Sequence, residues 1–390
     1  MIFIRDGTRV HRLLMLLACV GEYPMQAVCL LGNERVWKRR IRELQEVQDF
    51  TLPDGEGPVR FQMLTVSGKG KAGTIRLHKS ALPILYKVEP DAYFYYMDRF
   101  DRHRFSGAPT HVSRNHRLAE VAAMCQGADM EVQPWAVADL HDWDVREQNV
   151  EQPMCYFSRE LKEFYAGEMK KTEYTRIAGA IVYPGGVYAV YNTRNEAMLW
   201  RGKGEEKTRA LLSDIFRTRG FRSEVDEAIL LGKDFRAAAM ALQDAFSRRH
   251  LKERLERIYK HLHFIPMNPA GIRMLEMITT EDWNVRLKQA IYGEAADWVR
   301  IRGLEADVVM DGVYHYSHLD GDLCRLIWFR RTLRKWPNEA FALDCYPEQV
   351  PYLKEYLGDY WDKGNLEVNL YDPDALHTHL CGARHKEENE

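Results

Sequence analysis

The chain lacks several things at once: paired cysteines at CxxC spacing, an apolar run near the roughly 18 residues a membrane span needs, a marked excess of either charge, any internal repeat and any low-complexity segment. Each absence removes a class of protein. Its seven cysteines (Cys19, Cys29, Cys125, Cys155, Cys324, Cys345, Cys381) are odd in number and unpatterned, which argues against a structural zinc site and for reduced thiols in the cytosol. Lys+Arg number 55 against Asp+Glu at 57, so the whole chain is no polycation, and any affinity for nucleic acid must come from local patches. Arg12 followed by LLMLLAC imitates a signal peptide, and LLAC a lipoprotein cleavage site. That apolar run is shorter than a usual signal core and continues into a periodic helix pair, so it reads as core. The expectation is a cytoplasmic protein without a membrane partner.

What is present is a folded, two- or three-domain composition: 390 residues, 46% hydrophobic and 11% aromatic. The most informative stretch runs from Thr8 to Tyr86. Val10, Leu13, Leu14, Leu17 and Ala18 stand at helical spacing, and Gly21 ends that helix. EYPMQAVCLLG predicts a second, short helix with Pro24 at its first position and Gly32 past its end. A third helix begins at Asn33, a natural N-cap, with Trp37, Ile41, Leu44 and Gln48 sharing one face and Arg35, Lys38, Arg39 and Arg42 the other. VRFQMLTV and AGTIRLHKS then read as two strands joined by a Gly/Lys tip bearing Lys69 and Lys71. Three helices followed by a basic-tipped hairpin predict a winged helix-turn-helix: the third helix enters the major groove, and the tip reaches phosphates. The DNA-binding candidates are therefore Asn33, Arg35, Lys38, Arg39, Arg42, Lys69 and Lys71.

Farther on, Tyr93, Phe94, Tyr95 and Tyr96 form an aromatic cluster that either stacks on unpaired bases or packs one domain against the next, the second being the commoner use. DRHRFSGAPTHVSRN reads as a boundary loop, HRLAEVAAMCQGADM as an amphipathic helix carrying Glu120, DLHDWDVREQNVEQP as a surface loop, and RELKEFYAGEMKK as a helix. TRIAGAIVY, a PGG turn and VYAVYNT predict a hairpin. After it strands alternate with helices, which implies an α/β layer with a largely parallel sheet. The polar end ARHKEENE reads as a tail. The expected division is residues 1–100, 110–250 and 251–380.

RLLMLLACVGEYP, LLGNERVWKRRIREL, GTIRLHKSALPIL and HRLAEVAAM, covering about half the chain, resemble the replication-relaxation family of plasmids and conjugative elements. That resemblance implies a winged helix joined to a restriction-nuclease-like α/β domain, here followed by a C-terminal α/β extension, and a role in replication, relaxation or transfer. A nuclease core of that kind places Glu on a helix, Asp on a strand and Glu-x-Lys on the next strand, around Mg²⁺. Here Glu120 takes the helix position, but Ala178 and Gly179 stand where Asp belongs and Tyr191, Asn192 and Thr193 where Glu-x-Lys belongs. The domain is accordingly expected to be degenerate, with no catalysis of its own and no cofactor.

The rival chemistry is a His-hydrophobe-His nicking endonuclease. His261 and His263 project from one face of a strand, would hold Mg²⁺ or Mn²⁺, and would act with Tyr360 as nucleophile and Lys363 nearby. His377 and His379 show that such pairs also arise by chance. A third cluster, Asp311, Asp320 and Asp322, is read as turns and a helix cap in preference to a metal site. The expected partners are double-stranded DNA and, beyond it, replication or transfer proteins and a second copy of the chain.

Overall fold

The structure, a computed structural model, describes residues 2–52, 57–130, 132, 134–135, 152–161, 176–196, 203–218, 224–247, 255–293, 297–299 and 301–382. Most of the polar loop expected over 139–153, most of the helix expected over 159–171, and the tail over 383–390 lie outside the described residues. The fold is mixed α/β and divides into two compact units, residues 1–145 with 154–160 and residues 146–153 with 161–390.

In the first unit, β1 (Ile2–Phe3) precedes α1 (Arg9–Val20). Thr8 caps α1 by accepting the His11 N–H at 3.3 Å, and Gly21 ends it at φ 74°. A Cβ at Gly21 would lie 2.5 Å from the Phe100 ring, so both conformation and space call for glycine there. β2 (Tyr23–Pro24) leads into a 3₁₀ turn, Met25–Leu31, where the sequence predicts a short helix. Asn33 then caps α2 (Glu34–Leu44), its side chain accepting the Arg35 and Val36 N–H groups at 3.1 and 3.2 Å. Trp37, Ile41 and Leu44 are buried along the inner stripe. Gln48, expected on that stripe, lies instead in β3 (Val47–Thr51), which pairs with β1 and with β4 (Pro58–Gln62).

One strand is expected over Val59–Val66, yet the chain changes sheet at Met63. The Met63 N–H donates to Leu44 O at 3.2 Å, and its carbonyl accepts the His78 N–H at 2.8 Å, so neither group is free to continue the ladder. β5 (Leu64–Ser67) therefore pairs with β6 (Thr74–Leu77), and β6 with β2, in the order β2-β6-β5. α3 (Leu82–Val88), α4 (Pro90–Arg99) and α5 (Pro109–Gly127) complete the helices, with β7 (Met154–Phe157) and α6 (Ser158–Leu161) following. The segment read as a boundary loop is thus helical from Pro109 onward. The aromatic cluster divides: Tyr96 is buried against His103, Tyr95 donates to Glu160, and Tyr93 and Phe94 meet Tyr86 edge to face. Glu22 is fully buried in this unit, paired with Arg76 and accepting from Asn115 at 2.7 Å.

The second unit contains one plan twice, a repetition of topology that no repeat in the sequence announces. First come the hairpin β8 (Ile177–Tyr183) and β9 (Gly186–Arg194), α7 (Lys203–Thr218), β10 (Glu227–Gly232), α8 (Phe235–Ser247), the short α9 (Leu255–Ile258), β11 (His261–Pro266) and α10 (Pro269–Ile278). After α11 (Trp283–Tyr292) and β12 (Asp297–Trp298), the hairpin β13 (Val308–Met310) and β14 (Val313–Ser317) is followed by α12 (Leu323–Lys335), β15 (Ala340–Cys345), α13 (Val350–Leu357), β16 (Leu366–Leu370) and α14 (Pro373–Cys381).

In both halves an antiparallel hairpin is extended by two parallel strands: β8–β9 by β10 and β11 in one, β13–β14 by β15 and β16 in the other. Each sheet is therefore mixed, only partly the parallel layer expected. β10 and β11 are almost wholly buried, which explains their continuous apolar runs. Among the described residues no helix is long and apolar enough to cross a membrane, and all seven cysteines are free thiols.

Candidate functional site

Among the described residues, chemistry-bearing side chains gather on α2 and the β5–β6 tip in the first unit and around a cavity in the second. In the first, α2 stands with its inner face buried and Arg35, Arg39 and Arg42 exposed. Lys38 is half-exposed and pairs with Glu34 at 2.5 Å, while Arg39 and Arg40 share the two oxygens of Glu43 at 2.9 and 3.1 Å. The β5–β6 tip turns at Gly68 (φ 85°) and Gly70 (φ 58°) and leaves Lys69 and Lys71 exposed. Lys38, by hydrogen bond and charge, holds the Glu34 carboxyl below its ordinary value, and Lys71 adds a smaller pull in the same direction. Asn33 is used as the cap of α2.

In the second unit a cavity of about 200 Å³ is lined by both members of the His-x-His pair, Asp320, Glu227, Lys288, Asp307 and Arg325, with Trp283 among its walls. β11 delivers His261 and His263 from alternate positions, and the turn before α12 delivers Asp320 and Asp322. The two segments are stitched together by backbone: His263 and Asp322 form an isolated antiparallel bridge, and the Phe264 N–H donates to Gly321 O at 2.9 Å. Asp322 makes several bonds, most of them on one oxygen. Its Oδ1 accepts the N–H groups of Leu262, Cys324 and Arg325 at 3.2, 2.9 and 3.2 Å, and its Oδ2 lies 2.6 Å from His261 Nδ1.

Burial opposes ionisation of Asp322, but the His261 hydrogen bond and the charges of both imidazoles prevail, and its carboxyl is held well below the ordinary value. His261 moves the other way: burial disfavours its charge, Asp322 more than compensates, and its pKa rises. His263 is 1% exposed, its ring edge-on to Tyr188 and Trp283. Its Nδ1 faces the Asp320 carbonyl at 3.1 Å, and its Nε2 has no hydrogen-bond partner.

The far wall is a buried ion network. The Arg325 Nε donates to Glu305 at 2.7 Å and its Nη2 to Asp307 at 2.9 Å, Lys288 Nζ lies 3.0 Å from Asp307, and the Ser317 N–H donates to Asp307 at 2.8 Å. The arrangement can bind a cation near His263 and Asp320, or move a proton through an imidazole whose orientation is fixed.

The structure therefore gathers two motifs that the sequence presents separately, His261/His263 and Asp320/Asp322. The cap reading of Asp322 and its place beside the histidines both hold. Asp311 is elsewhere, in the β13–β14 turn at φ 51°. Tyr360 sits in the 3₁₀ turn Gly358–Tyr360 with Lys363 over its ring at 4.3 Å, and it does not line the cavity. Among the nuclease-type positions, Glu120 is buried in the first unit, where burial and then its charge push the Tyr23 phenol up, while Ala178, Tyr191, Asn192 and Thr193 are buried in the β8–β9 hairpin. His377 on α14 bonds Glu276 at 2.9 Å.

Sequence reasoning missed Glu227, Lys288, Glu305 and Asp307. None of them stands in a motif with a recognisable chemistry, and only Arg325, within an Arg-rich helix, stood in a noticeable pattern. No family model, curated protein or solved structure matches the chain.

Proposed function

We propose that the protein binds double-stranded DNA through α2 and the β5–β6 tip, as a winged helix-turn-helix does, and that it serves a mobile genetic element in replication, transfer or regulation. The element role rests on the resemblance of the first half to replication-relaxation proteins. The binding role rests chiefly on one observation: Arg35, Arg39 and Arg42 are exposed on the outer face of α2, whose inner stripe of Trp37, Ile41 and Leu44 is buried. The order of elements supports it, because the β5–β6 hairpin follows α2 along the chain as a wing follows its recognition helix. The internal pairs to Glu34 and Glu43 are no obstacle. Exposed pairs are worth about 0–1 kcal/mol, and a phosphate competes for the same donors.

Arg39→Ala should weaken binding to a cognate site by about 1–3 kcal/mol if the guanidinium reads a base edge. Lys69→Ala or Lys71→Ala should weaken all duplexes alike and reduce the salt slope by about one. Gel shifts against the element's intergenic DNA decide. Unchanged affinity in both Arg39→Ala and Lys38→Ala removes the recognition helix from the account.

A second reading, a metal-dependent nicking endonuclease, draws on the placement of His261 and His263 in one cavity with Asp320. Its signature is nicking of supercoiled DNA with Mn²⁺ or Mg²⁺ that disappears in His263→Ala.

A further inference from the structure

We propose that the cavity of the second unit is a binding site for one divalent first-row transition ion, Mn²⁺ or Zn²⁺, held by His263, Asp320 and Asp322 with its remaining positions open to the cavity. The inference is independent of DNA binding by the first unit. A ring nitrogen of His263 and one carboxylate oxygen from each aspartate lie within 4.8 Å of one another, and all three side chains are buried. Metal–ligand distances of about 2.0–2.2 Å need only a small inward rotation from there.

Two unmet demands point to a cation. The first is the His263 Nε2, fully enclosed and without a hydrogen-bond partner, on a residue that lines the cavity. An orphaned buried polar atom of this kind is unfavourable unless something satisfies it. The Nδ1 of the same ring faces the Asp320 carbonyl at 3.1 Å, the anchoring through one nitrogen that ligating imidazoles show.

The second demand is charge. Arg325 and Lys288 are committed to Glu305 and Asp307 on the other wall. Asp320 receives one backbone N–H at 3.1 Å and has His263 Nδ1 at 3.8 Å from its Oδ2. The buried Asp320 carboxylate thus has one N–H and one imidazole beside it, with Arg325 acting on it while bonded elsewhere, and a divalent ion supplies further positive charge. His261 is a positioning residue: its bond to Asp322 Oδ2 holds that carboxylate in place. One nitrogen and two oxygens suit a borderline ion, and three protein ligands with open positions are the pattern of sites that take a further ligand. A second cluster, Glu276, His377 and Cys381, has its imidazole already bonded to Glu276 and serves as the internal control.

The full chain, stripped with chelator, is titrated calorimetrically with Mn²⁺ and Zn²⁺ and, as a spectroscopic probe, with Co²⁺. Expected are one saturable ion per chain, a metal-dependent rise in Tm, no saturable binding in Asp320→Asn or His263→Gln, and a loss of about 10–100-fold in His261→Gln. Glu276→Gln and Cys381→Ser should bind as the parent chain does. The Co²⁺ spectrum guards against variants that fail to fold: absorption without a thiolate charge-transfer band supports the site in the parent chain itself. No saturable ion in the parent chain, undiminished binding in folded Asp320→Asn, or a thiolate band with loss in Cys381→Ser overturns the proposal.

Discussion

The two units use charge in opposite ways. On α2 Arg35, Arg39 and Arg42 stand exposed, the Arg39 side chain at 80%, and its carboxylate partner Glu43 lies one turn away on the same helix. Around the cavity, Arg325 is 14% exposed and Asp307 1%, and the groups they bind come from segments 18–20 residues apart in sequence. An exposed pair adds little and is free to exchange partners, as a DNA-facing surface must. A buried network holds geometry, and removing one member strands the others in a medium that cannot solvate them. The same residue type therefore serves recognition in one unit and enforced position in the other.

The largest way to test that contrast is Arg325→Met. The substitution keeps the packing stem while Glu305 loses its guanidinium and Asp307 keeps only Lys288 and the Ser317 N–H. Loss of one partner of a buried pair typically costs about 3–5 kcal/mol. Urea unfolding with an unchanged m-value measures it, and a loss below about 1 kcal/mol would mean that this wall is wetter than its burial implies.

A smaller, pH-dependent effect comes from Asp307. Burial works against its ionisation, but Arg325, Lys288 and the Ser317 N–H outweigh that and hold its carboxyl below the usual range. A depressed folded value stabilises fully above the unfolded value of about 4, and that contribution disappears as pH falls through the folded value. The parent chain should lose stability on the acid side of about pH 4, and Asp307→Asn should show a flatter acid limb from a lower plateau. Acid limbs of equal slope would assign the loss to other carboxylates.

Local physics made part of this legible in advance. The spacing of Leu13, Leu14 and Leu17, the Asn33 cap, the Trp37/Ile41/Leu44 stripe and the Pro-Gly turn of β8–β9 each depend on neighbours within a few residues, and the chain states them openly. The shared face of His261 and His263 follows from strand alternation alone. The site itself is different in kind. His263 meets the Asp320 carbonyl 57 residues away, and Asp307 reaches Lys288 and Arg325 from a segment with no motif around it. Nothing in the periodicity of either segment encodes the bridge between β11 and the α12 cap. The doubled topology was equally hidden, since strand order and direction can recur while side chains diverge completely. The break at Met63 was missed for a related reason: the groups that interrupt the ladder belong to Leu44 and His78.

Within the first unit, Asn33→Ala is the sharper test of stability. Its side chain satisfies two N–H groups at the start of α2, and losing such a cap costs about 0.5–2 kcal/mol. Thermal unfolding followed by tryptophan fluorescence should report it, because Trp37 packs one turn into the helix.

Arg39→Ala should do least to stability and most to recognition, and that separation is the strictest form of the contrast. Glu43 is shared, Oε1 with Arg39 and Oε2 with Arg40, so removing Arg39 still leaves the carboxylate paired. Alanine also has the higher helix propensity, which offsets part of any loss. The net change in unfolding free energy should stay within about 0.5 kcal/mol, as for surface substitutions in general. A large fall in Tm on Arg39→Ala would show that this arginine holds the fold together, and a weakened DNA complex could then no longer be credited to a lost groove contact. A stable variant that binds poorly would place the guanidinium where the comparison puts it, in water and available to a partner.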